Sequence, residues 1–301
     1  MRILSVGEIL WDVIGQNEHL GGAPLNFAAH AQKLGHEVYP LSAVGDDARG
    51  HRALELIRCL GISTEFIRLL PGKATGTAEV ELDLDGKPTF RIVRPAAYDF
   101  VELSPGDLQS LCKLDPQWVY FGTLFHTSST ALATTLSLLQ GLPSAGRFYD
   151  VNLRDDNWNL TAVEQLSSHA TVVKLNDWEA ECLDATFDVA GEQDSIEGFA
   201  RRWADRFGPG IVCVTCGELG CSILKDGQFT QVSGFRVEVA DTVGAGDAFA
   251  AGFVHGLSEG WSAPQIGRFA NAAGAVVAGK AGAIPEWNIE EVWTKMEQTD
   301  R

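Results

Sequence analysis

Basic residues are scarce in this chain of 301 amino acids: 23 Lys and Arg stand against 40 Asp and Glu, a net charge of −17. A field of that sign argues against a nucleic-acid footprint or an anionic membrane surface as partner, while leaving a local anion site open. Long hydrophobic runs are also missing. No stretch approaches the roughly 20 consecutive apolar residues of a transmembrane helix. Glu8 and Asp12 interrupt the start, where a secretory leader keeps an uncharged segment. The opening is therefore read as a first strand and the protein as cytoplasmic. Cysteine is sparse: Cys59, Cys112, Cys182, Cys213, Cys216 and Cys221 are scattered, unlike a secreted disulfide framework. Cys213-Val-Thr-Cys216 has the spacing of half a zinc site, but no second pair or nearby histidine completes it. It lies in an apolar stretch, where isolated cysteines act as small buried hydrophobes. No Gly-x4-Gly-Lys-Ser/Thr occurs, which excludes a P-loop. No linker, repeat or low-complexity tract cuts the chain into independent domains.

What is present is an ample core, at 45% apolar residues, and a regular alternation of patterns. Short runs rich in Val, Ile, Phe and Tyr predict strands at 2–6, 37–44, 118–122, 147–151, 171–175 and 211–215. Helices are predicted at 24–34, 47–60, 105–113, 128–140, 177–184, 196–207, 247–259 and 264–278. The first has Pro24 in its opening turn and Gly35 placed to end it. Strand–helix alternation with doubly buried strands means a parallel sheet covered on both faces. Residues 77–85 break this rhythm with period two: Ala78, Val80, Leu82 and Leu84 face one way and Glu79, Glu81 and Asp83 the other. Asp85-Gly86 is a hairpin turn signal, and 88–94 runs back with Phe90 and Ile92 on one face. This predicts a two-stranded antiparallel arm on the body.

Ligands of parallel α/β sheets bind beyond the carboxyl ends of the strands. The strongest signal of such a site is Asp241-Thr-Val-Gly-Ala-Gly-Asp-Ala-Phe-Ala-Ala-Gly-Phe253. Gly244 and Gly246 open an Ala-rich helix, where converging N–H groups and the helix dipole make an anion hole. Asp247 follows in the first turn. An acid beside an anion hole makes sense when a proton must move: the hole holds a phosphoryl group in flight and the carboxylate takes the proton of the attacking hydroxyl. By itself a Gly-x-Gly-Asp is more often a plain turn with an acidic first-turn residue, since so short a motif is common by chance. A dinucleotide fingerprint is excluded, since Phe249 stands where Gly or Ala is needed.

The longer string resembles the carboxyl-terminal signature of the ribokinase, or PfkB, family of sugar and nucleoside kinases. Leu20-Gly-Gly-Ala-Pro-Leu-Asn-Phe-Ala-Ala29 and Gly7-Glu-Ile-Leu-Trp-Asp12 are similar to its amino-terminal motifs in their fructokinase-like form. The resemblance covers essentially the whole chain. It implies one α/β kinase domain over 1–301, a ribokinase-like three-layer sandwich. This has a mostly parallel sheet with helices on both faces and a small antiparallel β lid from segments 13–22 and 75–98. It implies Asp247 as catalytic base and Gly244, Ala245 and Gly246 as the anion hole. Asp12, placed at the end of the first strand, Gly22 and Asn26 match sugar-binding positions, and Arg154 of Asp150-Val-Asn-Leu-Arg154 matches a substrate-side position that would pair with phosphate or with a substrate oxygen. Asn176 and Glu179 of Lys174-Leu-Asn-Asp-Trp-Glu179 match the element that orders Mg²⁺ and its waters near the ATP phosphates. Thr215, Gly217 and Gly220 match a nucleotide-phosphate turn, and Asn271 a position near adenine. Cys221 departs from the glycine of some members and is expected to narrow the nucleotide space. A monovalent cation such as K⁺ is expected beside Asp241, Val243 and the 278–283 loop.

The implied reaction is ATP-dependent phosphorylation of a primary hydroxyl on a small free sugar, fructose first. Another hexose, 2-keto-3-deoxygluconate, or a nucleoside using Phe90, Tyr98 and Phe100 stay open, as does a sensor that lost turnover. The apolar row of the arm needs cover, and the resemblance implies a homodimer clasped through the lids. A monomer whose arm folds onto its own body is the alternative.

Overall fold

The computed structural model describes residues 1–82, 88–154, 157–187 and 195–298, with the side chains of 80–90 outside that description. In chain order the strands are β1 Arg2–Val6, β2 Leu10–Ile14, β3 Asn17–Gly21, β4 Glu37–Gly45, β5 Ile67–Leu70, β6 Gly76–Leu82 and β7 Pro88–Val93. They continue as β8 Trp118–Gly122, β9 Gly146–Asp150, β10 Val172–Asn176, β11 Ile211–Thr215, β12 Gly220–Lys225 and β13 Gln228–Ser233. The helices are α1 Ala23–Lys33, α2 Ala48–Cys59, α3 Pro105–Leu114, α4 Ser129–Gly141 and α5 Leu160–His169. After them come α6 Asp177–Thr186, α7 Ile196–Phe207, α8 Ala245–Ser258, α9 Ala263–Ala278 and α10 Ile289–Glu297.

Nine strands form the main sheet in the order β13-β12-β11-β10-β9-β8-β1-β4-β5. The seven from β11 to β5 are parallel, and β12 and β13 close one edge as an antiparallel hairpin. All six predicted strands of the sheet are present within a residue or two. The edge hairpin and β5 were not read, although Asp226-Gly227, with φ of +51° and +75°, is the turn that right-twisted strands accept. Alternation along each strand sends successive side chains to opposite layers. Ile3, Tyr120, Phe148 and Cys213 join α1, α2, α8, α9 and α10 in one core. Leu4, Phe121, Tyr149 and Val214 join α3 to α7 in the other.

The arm is larger than its period-two pattern indicates. Four strands pair in the order β3-β2-β6-β7, antiparallel at both ends and parallel between β2 and β6. A two-stranded ribbon buries too little to stand alone, and β2 and β3 supply the missing width. Asp12 therefore belongs to β2 in the arm, not to the end of the first strand of the body. Ala78 is buried and Ile92 packs half-buried against the body core. Val80, Leu82, Leu84, Phe90 and the Asp85-Gly86 turn lie outside the described side chains or residues. The chain reverses at β1, with β4 on one side and β8 on the other, which places a crevice where that order switches.

Candidate active site

Helix α8 begins at that crevice. Its N-cap is Gly244, whose φ of +82° a side chain rarely adopts. A Cβ there would stand 2.2 Å from the Ala283 carbonyl oxygen. The closeness of the two loops thus requires glycine. The Ala245 N–H donates back to the Thr242 carbonyl at 3.3 Å. The first-turn amides of Gly246 and Asp247 have no preceding helical carbonyl to reach. Asp247 is buried, and Asn26 Nδ2 on α1 donates to its Oδ2 at 2.9 Å. Burial, then the Asp150 carboxylate, push its pKa up to about 6. It is a carboxylate ionised near neutrality and more basic than an exposed one.

The sugar-side residues gather on the arm side of Asp247. Gly22 has φ +108° and caps α1; a Cβ there would meet the Glu8 carbonyl oxygen at 2.4 Å. On Gly21, a Cβ would meet Asp12 Oδ2 at 2.7 Å, so the Gly21–Gly22 backbone lies against both acids. Burial raises the pKa of Asp12, opposed by Arg154 and His19. Arg154 is exposed just beyond β9, and its charge acts on Glu8, Asp12 and Asp247 alike. Asn26 Oδ1 is buried without a partner among the described residues.

On the other side of Gly246 lies a cavity of about 270 Å³. Thr215, Gly217, Gly220, Asn271, Gly246 and Phe249 are among its walls, which brings the predicted phosphate turn and the predicted adenine position into one space. Asn271 is held there by donating to the Val232 and Ser233 carbonyls, both at 3.1 Å. Cys221 does not narrow this space. It is the next residue along β12 after Gly220, so its side chain points into the core, where a Cβ on Gly267 of α9 would stand 3.1 Å from its sulfur. Cys213 is likewise buried in β11, its thiol pKa held well up by burial and by Cys221. Asn176 does not line the cavity; it caps α6 beside it. There Glu179 Oε1 accepts from Leu153 N–H at 2.7 Å and Oε2 from Asn176 N–H at 2.9 Å. Asn176 Oδ1 accepts from Glu179 N–H at 2.8 Å, closing the capping box. Asp241 joins two turns, accepting from Val243 N–H at 3.0 Å and Gly282 N–H at 3.1 Å.

Residues 5–289 match the profile of the pfkB family carbohydrate kinases. The chain belongs to that family. Its curated relatives include a fructokinase of Klebsiella pneumoniae, 30% identical over 85% of this chain and 84% of that one. Among solved structures, the fructokinase with bound ATP from Xylella fastidiosa has a TM-score of 0.85 at 24% identity and covers 98% of both chains. An uncharacterised sugar kinase of Pyrococcus horikoshii has a TM-score of 0.82 at 25% identity, covering 98% of this chain and 100% of that one. The protein is a sugar kinase, a phosphotransferase with an alcohol acceptor. Among the described residues no helix is long and apolar enough to cross a membrane.

Four residues beside Asp247 were given no role by the reading of motifs, although Glu8, Asp150 and Lys174 stand within the strings it used. Glu8 is 4% exposed with its Oε2 unpartnered among the described residues, and burial raises its pKa to about 7. Lys174, Asp150 and Tyr120 are buried and hydrogen-bonded together, and the two charges act on Asp247. Lys174 and Asp150 did leave a trace: each is a charge inside an apolar strand pattern.

Proposed function

We propose that this sugar kinase transfers the γ-phosphoryl group of ATP to the primary hydroxyl of free fructose, giving fructose 6-phosphate. The observation that carries the reading is Asp247, a buried carboxylate of raised pKa in the first turn of α8, with the cavity lined by Gly217, Gly220 and Asn271 at the same helix start and with Arg154, whose charge also reaches Asp12, acting on it. The fructokinase names of the relatives support fructose, and the ATP of the Xylella structure supports the donor. In this mechanism Asp12 and Asn26 accept from and donate to sugar hydroxyls and turn the primary hydroxyl toward Asp247. Asp247 takes the hydroxyl proton as the sugar oxygen bonds to phosphorus and the bond to the β-phosphate oxygen breaks. The amides of the Gly244–Gly246 turn, joined by that of Asp247, hold the transferring oxygens at the positive end of α8. The arm excludes water, which would otherwise accept the phosphoryl group.

Mg²⁺, when bound with ATP, neutralises charge building on the phosphates. Both Glu179 oxygens already accept backbone N–H groups, so Glu179 and Asn176 would hold the ion through waters. The turns that Asp241 joins would hold K⁺ on their backbone carbonyls and so order the Gly244 loop. Faster turnover in K⁺ than in a large organic cation at matched ionic strength is the expected result; equal rates would remove that ion from the reading.

Coupled ADP release across fructose, other hexoses, 2-keto-3-deoxygluconate and a nucleoside tests the assignment. Fructose is expected to have the highest kcat/KM. The exposed Arg154 favours one competitor, a sugar acid whose carboxylate it could pair with. Preference for 2-keto-3-deoxygluconate would move the substrate without moving the chemistry.

A further inference from the structure

Strands β9 and β10 lie side by side with Asp150 and Lys174 as direct partners. Alternation sends both to the face covered by α1, α8 and α9, where Phe148, Val172 and Cys213 are their apolar neighbours. On that face they are charged exceptions: Lys174 is 7% exposed and Asp150 fully buried. Lys174 Nζ donates to the two Asp150 oxygens at 2.9 and 3.0 Å. Tyr120 OH donates to Asp150 Oδ2 at 3.0 Å, and its ring stacks on Phe27 at 3.8 Å. Desolvation works to lower the lysine pKa, but the Asp150 carboxylate overrides it, and the ammonium stays charged.

Stability does not explain this pair, because apolar residues of similar volume usually serve a buried position as well or better. Its location does. Above the ammonium is Gly246, and a Cβ on that glycine would stand 3.6 Å from Lys174 Nζ. The cation therefore lies against the first turn of α8, at the helix's positive end.

Resting on the kinase reading above, we infer that Lys174 is a positioning residue. It is a fixed buried cation, oriented by Asp150 and Tyr120, that strengthens the anion hole of α8 from behind. It touches neither sugar nor nucleotide. The ion pair is neutral as a whole, but its positive end is the one turned to the helix: of the two partners only Lys174 Nζ comes within 4 Å of a Cβ on Gly246, so it acts on a transferring phosphoryl group locally and not through net charge. In a dry interior that charge acts at higher strength than in water and costs no reorganisation during the reaction.

The test removes the charges as a pair. Lys174→Met alone would strand a buried carboxylate. The Lys174→Met/Asp150→Asn double variant is neutral, and the amide oxygen that Asp150→Asn introduces still offers Tyr120 an acceptor. Three measurements apply: thermal melting, steady-state kinetics with ATP and fructose, and calorimetric binding of ADP with and without aluminium fluoride, a mimic of the transferring group. The double variant is expected to melt close to the parent and keep its fructose KM, while kcat falls roughly tenfold or more. It should also lose the affinity that fluoride adds to ADP binding. Lys174→Arg, which keeps the charge, should restore most of both. A double variant with kcat within about threefold of the parent, or with the fluoride gain intact, overturns the inference. A double variant that loses its fold assigns the pair to stability and overturns it too. Asp247→Asn in parallel separates the two readings: if it also turns over normally, the reading of Asp247 as base has failed, whatever Lys174 does.

Discussion

Asp247 is held by one hydrogen bond from Asn26 and by burial, so its replacement by Asn keeps shape and loses only the capacity to take a proton. Asp247→Asn should retain sugar and ATP binding and lose about 10²–10⁴ in kcat, the range for removal of a general base. A kcat within about threefold of the parent would refute the base assignment. With its pKa at about 6, the parent's kcat/KM should fall as pH drops below that value, because the ionised form is the active one. Asp12→Ala should weaken sugar binding by about 2–4 kcal/mol, a charged acceptor taken from buried hydroxyls, with the ATP KM nearly unchanged. Calorimetry showing the reverse would invert the two halves of the site. Glu8 bears on folding. Burial lifts its pKa from 4.5 to about 7. The folded protein keeps a proton that the unfolded chain releases, so this contribution is whole below pH 4.5 and lost as pH rises through 7. The gap is worth about 3 kcal/mol. Glu8→Gln should therefore be more stable than the parent at about pH 8 by up to that amount, and similar to it near pH 4. Urea unfolding at the two pH values decides; no gain at the higher pH would mean the native site accommodates the charge.

At the scale of elements, the start of α8 depends on a second loop. Trp287 Nε1 donates to His30 Nδ1 at 3.1 Å, which leaves His30 Nε2 to donate to the Ala283 carbonyl at 3.0 Å. That carbonyl is the one against which Gly244 packs. The loop cannot retreat without breaking the His30 bond, so a methyl at 244 has nowhere to go. Gly244→Ala combines that clash with a left-handed backbone and should cost on the order of 2 kcal/mol or more, with a tenfold or larger loss of kcat. Gly246→Ala meets only the flexible end of Lys174, at 3.6 Å, and should fold nearly as well as the parent. Melting curves of the two variants check the contrast; equal losses would mean that the loop yields.

For the molecule as a whole, the proposed mechanism depends on how the arm sits on the body. Trp11 Nε1 of β2 donates to the Arg49 carbonyl at 3.2 Å, and the Arg52 guanidinium lies 3.8 Å over the Trp11 ring. Glu18 of β3 accepts from Arg49 Nε at 2.9 Å and is also paired with Arg52. These contacts tie arm strands to α2 across partly exposed surface, where ion pairs are worth little singly and less in salt. Glu18→Ala should raise the sugar KM roughly two- to fivefold in low salt, and less in molar salt. It should also raise ATP hydrolysis without sugar, because a looser arm admits water. Steady-state kinetics at two ionic strengths measure both; a salt-independent KM change would point to lost packing in place of lost charge.

The α/β body was legible in the sequence because its strands are buried on both faces and its helices on one, so composition and period record them directly. The glycine string before Asp247 and the pair Gly21-Gly22 were legible for a related reason: backbone that must approach another chain segment closely admits no side chain. The arm was only half legible. Residues 77–82 alternate, but 10–14 and 17–21 are short and split between core and surface, and only the pairing of β2 with β6 on one side and β3 on the other makes them strands of one sheet. Site chemistry divides the same way. Asp247 stands in a motif, whereas its basicity comes first from its burial and then from Asp150, far back in the chain. Lys174 and Asp150 are partners only because β9 and β10 adopt one register, and the Lys174 ammonium meets Gly246 only because α8 covers that face. Local sequence determines what a residue can do; the charge it feels is set by neighbours that only tertiary packing brings close.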